Sequence, residues 1–213
     1  MTLDDAAIAA FITANLPLVA IPGIAEIRLH QAAPTSGLHR LAAGNSAFAS
    51  PYWAYRWGGG LALARHVLDR PESVAGRRVL DLGTGSGLVA IAAALAGAAK
   101  VRAVDVDRHA TIAAGLNAAA NGVGIVAETG DLTRGAVPDT DLILVGDLFY
   151  AAGLARRVTR FLDRCVGAGV DVLVGDPARA HLALSRLEEI GRYAVAETGV
   201  MKPGFVYRYR LGD

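Results

Sequence analysis

Val79-Leu80-Asp81-Leu82-Gly83-Thr84-Gly85-Ser86-Gly87 is the stretch whose reading decides the fold. A short apolar run ends in an acid, three glycines then alternate with hydroxyl residues, and an alanine-rich segment follows over 88–95. That order reads as strand, tight loop and helix, the opening crossover of an α/β sheet. Glycine in such a loop lets backbone approach a bound group where any Cβ would clash.

Downstream of the loop the alternation continues. The pattern predicts strands over 79–82, 101–106, 125–128, 142–145 and 170–174. Helices are expected over 88–95, from Arg108 to a C-cap at Asn121-Gly122, over 154–166, and from Pro177, a favourable first-turn residue, to Ile190. Two final strands, 193–197 and 205–210, alternate apolar and polar side chains, are joined around Lys202-Pro203-Gly204, and are expected to pair antiparallel at one edge.

Upstream, residues 1–16 read as a helix with Thr2 as N-cap and Asp4 and Asp5 suiting its positive end. Pro17 and Pro22-Gly23 stop it, 24–30 reads as a short strand, and 31–50 as an irregular segment. The stretch 51–60 holds both tryptophans, Trp53 and Trp57, beside Tyr52 and Tyr55, and a helix is expected over 61–68. Such rings either plug the sheet edge or form a flat wall beside a ligand.

The 213 residues suit one sizeable domain, 51–213, with a small N-terminal extension, 1–50. Apolar residues make up 53% of the chain, enough for a large core, yet no uninterrupted run reaches the ~18 residues of a membrane span. The acidic start lacks the basic region of a secretory signal, and Cys165, the single cysteine, has no partner for an internal disulfide, so a cytoplasmic setting is expected. Cys165 itself reads as a small buried hydrophobe. A net charge of +1 gives no general pull toward nucleic acid or anionic lipid. The five histidines are scattered, without metal-ligand spacing, and no metal is expected. Lys100 and Lys202 are the only lysines among 21 basic residues and alanine is abundant, which suggests a high-GC bacterial genome.

Ligand chemistry follows from the acids. The glycine spacing is not the G-x-G-x-x-G of dinucleotide folds, and no lysine follows as in a phosphate-cradling loop. Asp81, Asp105, Asp131 and Asp147 each fall at the carboxyl end of a successive strand, where open α/β sheets bind ligands. Asp105 is placed to accept both hydroxyls of a ribose, and Asp131 to accept from an exocyclic amine. Singly, each reads as well as a helix cap or turn acid; four in succession are less readily chance.

These residues resemble the class I S-adenosylmethionine-dependent methyltransferases over roughly 51–210. The resemblance implies a Rossmann-like, doubly wound, seven-stranded sheet, mostly parallel with an antiparallel last strand. It also implies S-adenosylmethionine as cofactor and S-adenosylhomocysteine as product. The cofactor residues it implies are Trp57, Asp81, Gly83, Thr84, Gly85, Gly87, Asp105, Val106, Asp131, Leu132 and Gly146. Asp147-Leu148-Phe149-Tyr150 is similar to the D-x-F-Y signature of a group of protein lysine methyltransferases. Pro51-Tyr52-Trp53-Ala54 with Trp57 and Gly59-Gly60, Gly175-Asp176-Pro177 with Arg179, and Glu26-Ile27-Arg28-Leu29 look like the branch acting on the electron transfer flavoprotein β-subunit. Gly58 stands where animal members usually carry proline, and Arg134 where some of the wider group carry tryptophan.

The catalytic set so implied is Asp147, hydrogen-bonding the incoming amine, with Phe149, Tyr150 and Trp53 walling the channel. The implied partner is that protein substrate, met by a monomer, without nucleic acid or membrane. The glycine loop and Asn121-Gly122-Val123 also look like the ribosomal protein L11 methyltransferases, which usually carry asparagine where this chain has Asp147. A nicotinamide-dependent oxidoreductase is the alternative of a different class.

Overall fold

A computed structural model describes residues 3–42, 50–197 and 199–212. The helix α1 (Asp5–Asn15) is capped by Asp4, whose carboxylate accepts from Ala7 N at 2.8 Å. Thr2, read from sequence as that cap, lies outside the described residues, as do 43–49 of the irregular segment. A hairpin of β1 (Leu18–Ile21) and β2 (Ile24–His30) follows. The strand β1 is an addition to the expected pattern. It occupies the four residues between Pro17 and Pro22, too few to show a period.

The remaining elements are α2 (Gly58–Asp69), β3 (Arg78–Leu82), α3 (Leu88–Leu95), β4 (Lys100–Asp105), α4 (Arg108–Ala120), β5 (Val126–Thr129), β6 (Leu142–Gly146), α5 (Ala152–Gly167), β7 (Asp171–Asp176), β8 (Leu187–Glu197) and β9 (Val200–Tyr209). One seven-stranded sheet runs β5-β4-β3-β6-β7-β9-β8. The pairs from β5 to β7 are parallel, and β9 runs antiparallel to both β7 and β8. The switch point lies between β4 and β6, on either side of β3, which places the glycine loop at the ligand-binding crevice of such sheets.

Two buried clusters cover the sheet faces. One joins β3 and β6 to α2 and α3; the other joins them to α5, with Cys165 fully buried in it. A third cluster holds Ile8, Ile12 and Trp53 against Ala110 and Ala113 of α4. No helix among the described residues is long and apolar enough to cross a membrane.

The helix expected over 177–190 does not form. Ala178 sits at φ 68, outside helical geometry, and only a short 3-10 turn (Leu184–Arg186) precedes β8. Leu187-Glu188-Glu189-Ile190 has helical spacing, but β9 supplies cross-strand partners from Leu187 onward and the strand wins. A bulge between Glu189 and Gly191 absorbs the extra residue. Lys202, Pro203 and Gly204 lie within β9, paired to Val195, Ala194 and Tyr193, so the hairpin reverses at Gly199 (φ 80) instead.

Four glycines let α2 sit on the sheet. A Cβ on Gly175 would lie 2.2 Å from Gly59 O, and one on Gly146 would lie 3.1 Å from Gly60 Cα. Gly175→Ala should therefore lower stability by at least about 2 kcal/mol in chemical denaturation, through overpacking. Gly115→Ala, within α4 and facing open space, should raise it by about 0.5–1 kcal/mol.

Candidate active site

The loop after β3 is built from left-handed glycines: Gly83 at φ 73, Gly85 at φ 53 and Gly87 at φ 84. Packing adds to this at Gly87, where a Cβ would lie 3.0 Å from Ala114 Cα; at Gly83 it would meet the movable end of Leu148, 2.6 Å away. Gly85 is different. Its nearest neighbour would be Trp53 Cα at 3.8 Å, so it presents bare backbone to the space beneath the aromatic segment.

Asp81 is 1% exposed and caps α3 from below: its Oδ2 accepts from Ala90 N at 3.1 Å and from Thr84 Oγ1 at 2.6 Å. Gly87, at the N-cap, has no side chain for that task. Asp105 fixes the loop, accepting from Gly85 N at 2.9 Å and Asp107 N at 3.0 Å. Burial raises both carboxyls above the usual range, Asp81 to about 7.

A cleft opens between this loop, the start of α2 and the end of β6. Tyr52, Trp53 and Trp57 wall it, and Asp81, Gly85 and Asp147 lie along it. Trp57 Nε1 donates to Tyr52 O at 2.9 Å, and the two rings meet edge to face at 5.7 Å. Tyr150 closes on Tyr52 with ring centroids 6.1 Å apart.

Asp147 follows β6 at φ 58, in the left-handed region. Its Oδ2 accepts from Gly60 N at 2.6 Å, capping α2, whose N-cap Trp57 offers no side-chain hydrogen bond. Its Oδ1 accepts from Arg179 at 2.8 Å. Burial pushes the Asp147 carboxyl up, and the Arg179 guanidinium opposes that. Arg179 also lies 3.7 Å from Glu197 and 5.8 Å from the centroid of the Trp57 ring.

Of the residues chosen from sequence, the structure brings Trp53, Trp57, Asp81, Gly83, Thr84, Gly85, Gly146 and Asp147 to one cleft. Asp105 touches it through Gly85 N, and Tyr150 through Tyr52. Phe149 does not wall it: the ring is fully buried in the core against the α5 side, where its apolar area is better satisfied. Asp131 caps a 3-10 turn, accepting from Thr133 N at 3.0 Å, and its second oxygen is taken by Arg134. Leu132 packs half-buried against the same cluster, and Val106 is exposed beyond β4. Sequence reasoning gave no role to Arg179 or Glu197. The signal for Arg179 was its place after Gly175-Asp176-Pro177; Glu197 had none.

This fold and cleft are those of a Rossmann-like methyltransferase. The solved ribosomal protein L11 methylase of Lactobacillus delbrueckii subsp. bulgaricus superposes with a TM-score of 0.52 at 25% identity, covering 70% of this chain and 77% of that one. A model of the ribosomal protein L11 methyltransferase family matches residues 63–164. The electron transfer flavoprotein β-subunit lysine methyltransferase of Danio rerio is 47% identical over 136 residues, 63% of this chain and 53% of that protein. Its Xenopus laevis counterpart is 37% identical over 194 residues, 88% of this chain and 79% of that protein. The chain thus spans about half of one relative and about four fifths of the other. It belongs to the family of electron transfer flavoprotein β-subunit lysine methyltransferases.

A raised Asp81 carboxyl makes a signed prediction. Its contribution to stability is complete below about pH 4 and is lost as pH rises through about 7, because the unfolded chain ionises more readily. Asp81→Asn should remove that loss. Between pH 4 and 7 the melting temperature of the wild type should fall relative to the variant; parallel curves would refute a raised Asp81.

Proposed function

We propose that this chain transfers methyl groups from S-adenosylmethionine to lysine side chains of the electron transfer flavoprotein β-subunit, releasing S-adenosylhomocysteine. The observation that carries the reading is Asp147, a clamped carboxylate at the foot of an aromatic-walled cleft beside a bare glycine backbone. The residues fit that cofactor. Gly85 leaves a face free of Cβ, Asp105 stands behind the loop for a ribose, and two buried acids suit a cationic sulfonium. When bound, the cofactor supplies an electrophilic methyl group.

The chain's own residues do the rest. A lysine ammonium has no lone pair, and its free pKa is about 10.4, so it must shed a proton before it can act. Tyr52 and Trp57 give the cleft apolar walls, and loss of water against them on substrate binding would disfavour the charged amine. Asp147 holds the amine through its remaining lone pairs and aims it along the cleft. One buried cysteine and the excess of arginine over lysine support a reducing, bacterial cytoplasm as the setting.

The match to the L11 methyltransferase family model over 63–164 favours a second target, a ribosomal protein, on the same chemistry. Labelled cofactor in bacterial lysate separates the two. The flavoprotein β-subunit should carry the label; a labelled ribosomal protein would transfer the reading to the rival. Asp147→Asn keeps size and an acceptor but not charge. It should cut turnover by about 100-fold while S-adenosylhomocysteine affinity in calorimetry stays within about threefold. Asp105→Ala should instead weaken that affinity by about tenfold or more.

A further inference from the structure

The described chain has two non-glycine residues in left-handed backbone, Asp147 and Ala178. L-residues avoid that region, so each is held there by its surroundings. They flank one ion pair. Asp147 is its acid, and Ala178 immediately precedes its base, Arg179. The turn that delivers Arg179 is itself fixed, because Asp176 Oδ1 accepts from Arg179 N at 2.6 Å and Asp176 is fully buried. The guanidinium then reaches Asp147 Oδ1 at 2.8 Å, approaches Glu197 at 3.7 Å and lies over the Trp57 ring.

We propose that Arg179 is a positioning residue, which orients the Asp147 carboxylate and couples it to the Trp57 wall so that acid and wall form one rigid unit. Without Arg179, Asp147 keeps only the backbone donors at the start of α2, Gly60 N at 2.6 Å and the weaker Gly59 N, and its Oδ1 loses its charged partner. The Trp57 ring then keeps its bond and edge contact to Tyr52 but loses its tie to the acid. A reach to substrate is not required of Arg179; it acts through Asp147. The inference rests on the proposed function only for its kinetic part.

The charged groups around Asp147 are Asp176 at the end of β7, Arg179 beyond it, Glu197 on β8 with Lys202 behind it at 3.7 Å, and Asp81 and Arg56 along the same cleft. Arg179 is the cation in direct contact with the carboxylate. In Arg179→Met, the Asp147 carboxyl, followed by carbon-13 NMR, should titrate higher by about one pH unit or more. In Arg179→Lys it should return most of the way. That measurement needs neither substrate nor cofactor.

Kinetically, Arg179→Met should lower kcat by about 10- to 100-fold in the wild-type background. It should add little to Asp147→Asn, as expected for a residue acting through the acid. An unmoved titration, or an equal kcat loss in both backgrounds, would overturn the proposal. If Arg179→Met fails to fold, Arg179→Gln carries the same two measurements. A wild-type protein that methylates no flavoprotein while the titration shifts as stated would count against the proposed substrate and leave the positioning role standing.

Discussion

Gly59 and Gly175 bring two backbones closer together than any side chain allows, and the rest of the site depends on that contact. A Cβ on either residue would meet the other's carbonyl oxygen at 2.2 Å. The first turn of α2 is thereby pressed against the ends of β6 and β7, with Gly204 of β9 also near, its Cβ position 2.9 Å from Gly58 O. Helix starts normally stand off a sheet by the length of two side chains. Here the standoff is removed, so the N–H groups of α2 reach the carboxylate that follows β6. The cleft has a fixed back wall because backbone, which has no rotamers, forms it.

That geometry explains how so many acids survive burial. Asp81, Asp105, Asp147 and Asp176 are all pushed upward by loss of water. Each is answered by backbone donors: Ala90 for Asp81, Gly85 and Asp107 for Asp105, Gly60 for Asp147, Arg179 for Asp176. Helix and loop N–H groups take the place of water, and they cannot move away as water can. The result is a set of carboxyls held by backbone beside the cleft, with the Arg179 guanidinium against Asp147 and Arg56 among the residues lining the cleft.

The sequence disclosed the parallel part of the fold because each central strand is an apolar run ended by glycine or an acid. Expected and observed limits of β3, β4, β5, β6 and β7 differ by two residues at most, and α3 agrees at both ends. Its glycine loop was legible for the same reason. What stayed hidden depends on distant partners. Leu187-Glu188-Glu189-Ile190 carries helical spacing and becomes strand because β9 lies beside it. Asp131 is an acid at a strand end like the others, yet its own Thr133 and Arg134 consume it locally. Phe149 belongs to a motif and still packs inward, because a motif fixes residue types and not the direction of a ring.

The strand-end acids therefore carry two duties at once. Asp81 caps α3 and lines the cleft; Asp147 caps α2 and lines the cleft. A cap reading and a ligand reading, weighed singly from sequence, exclude each other only if a carboxylate spends all its lone pairs on one partner. Two oxygens offer about four acceptor positions, and a helix start occupies one or two. A cap also holds the carboxylate still, which is what an acceptor must be if it is to aim an incoming amine. Duty at the helix thus prepares duty in the cleft. Asp105 and Asp131 lie outside the cleft lining; Asp105 reaches it only through Gly85 N, and Asp131 is taken up by its own turn. The glycine loop and its acids account for the cofactor side of the crevice. The opposite wall is aromatic: Tyr52 and Trp57 line it, with Tyr150 set against Tyr52, across from the carboxylate held by α2.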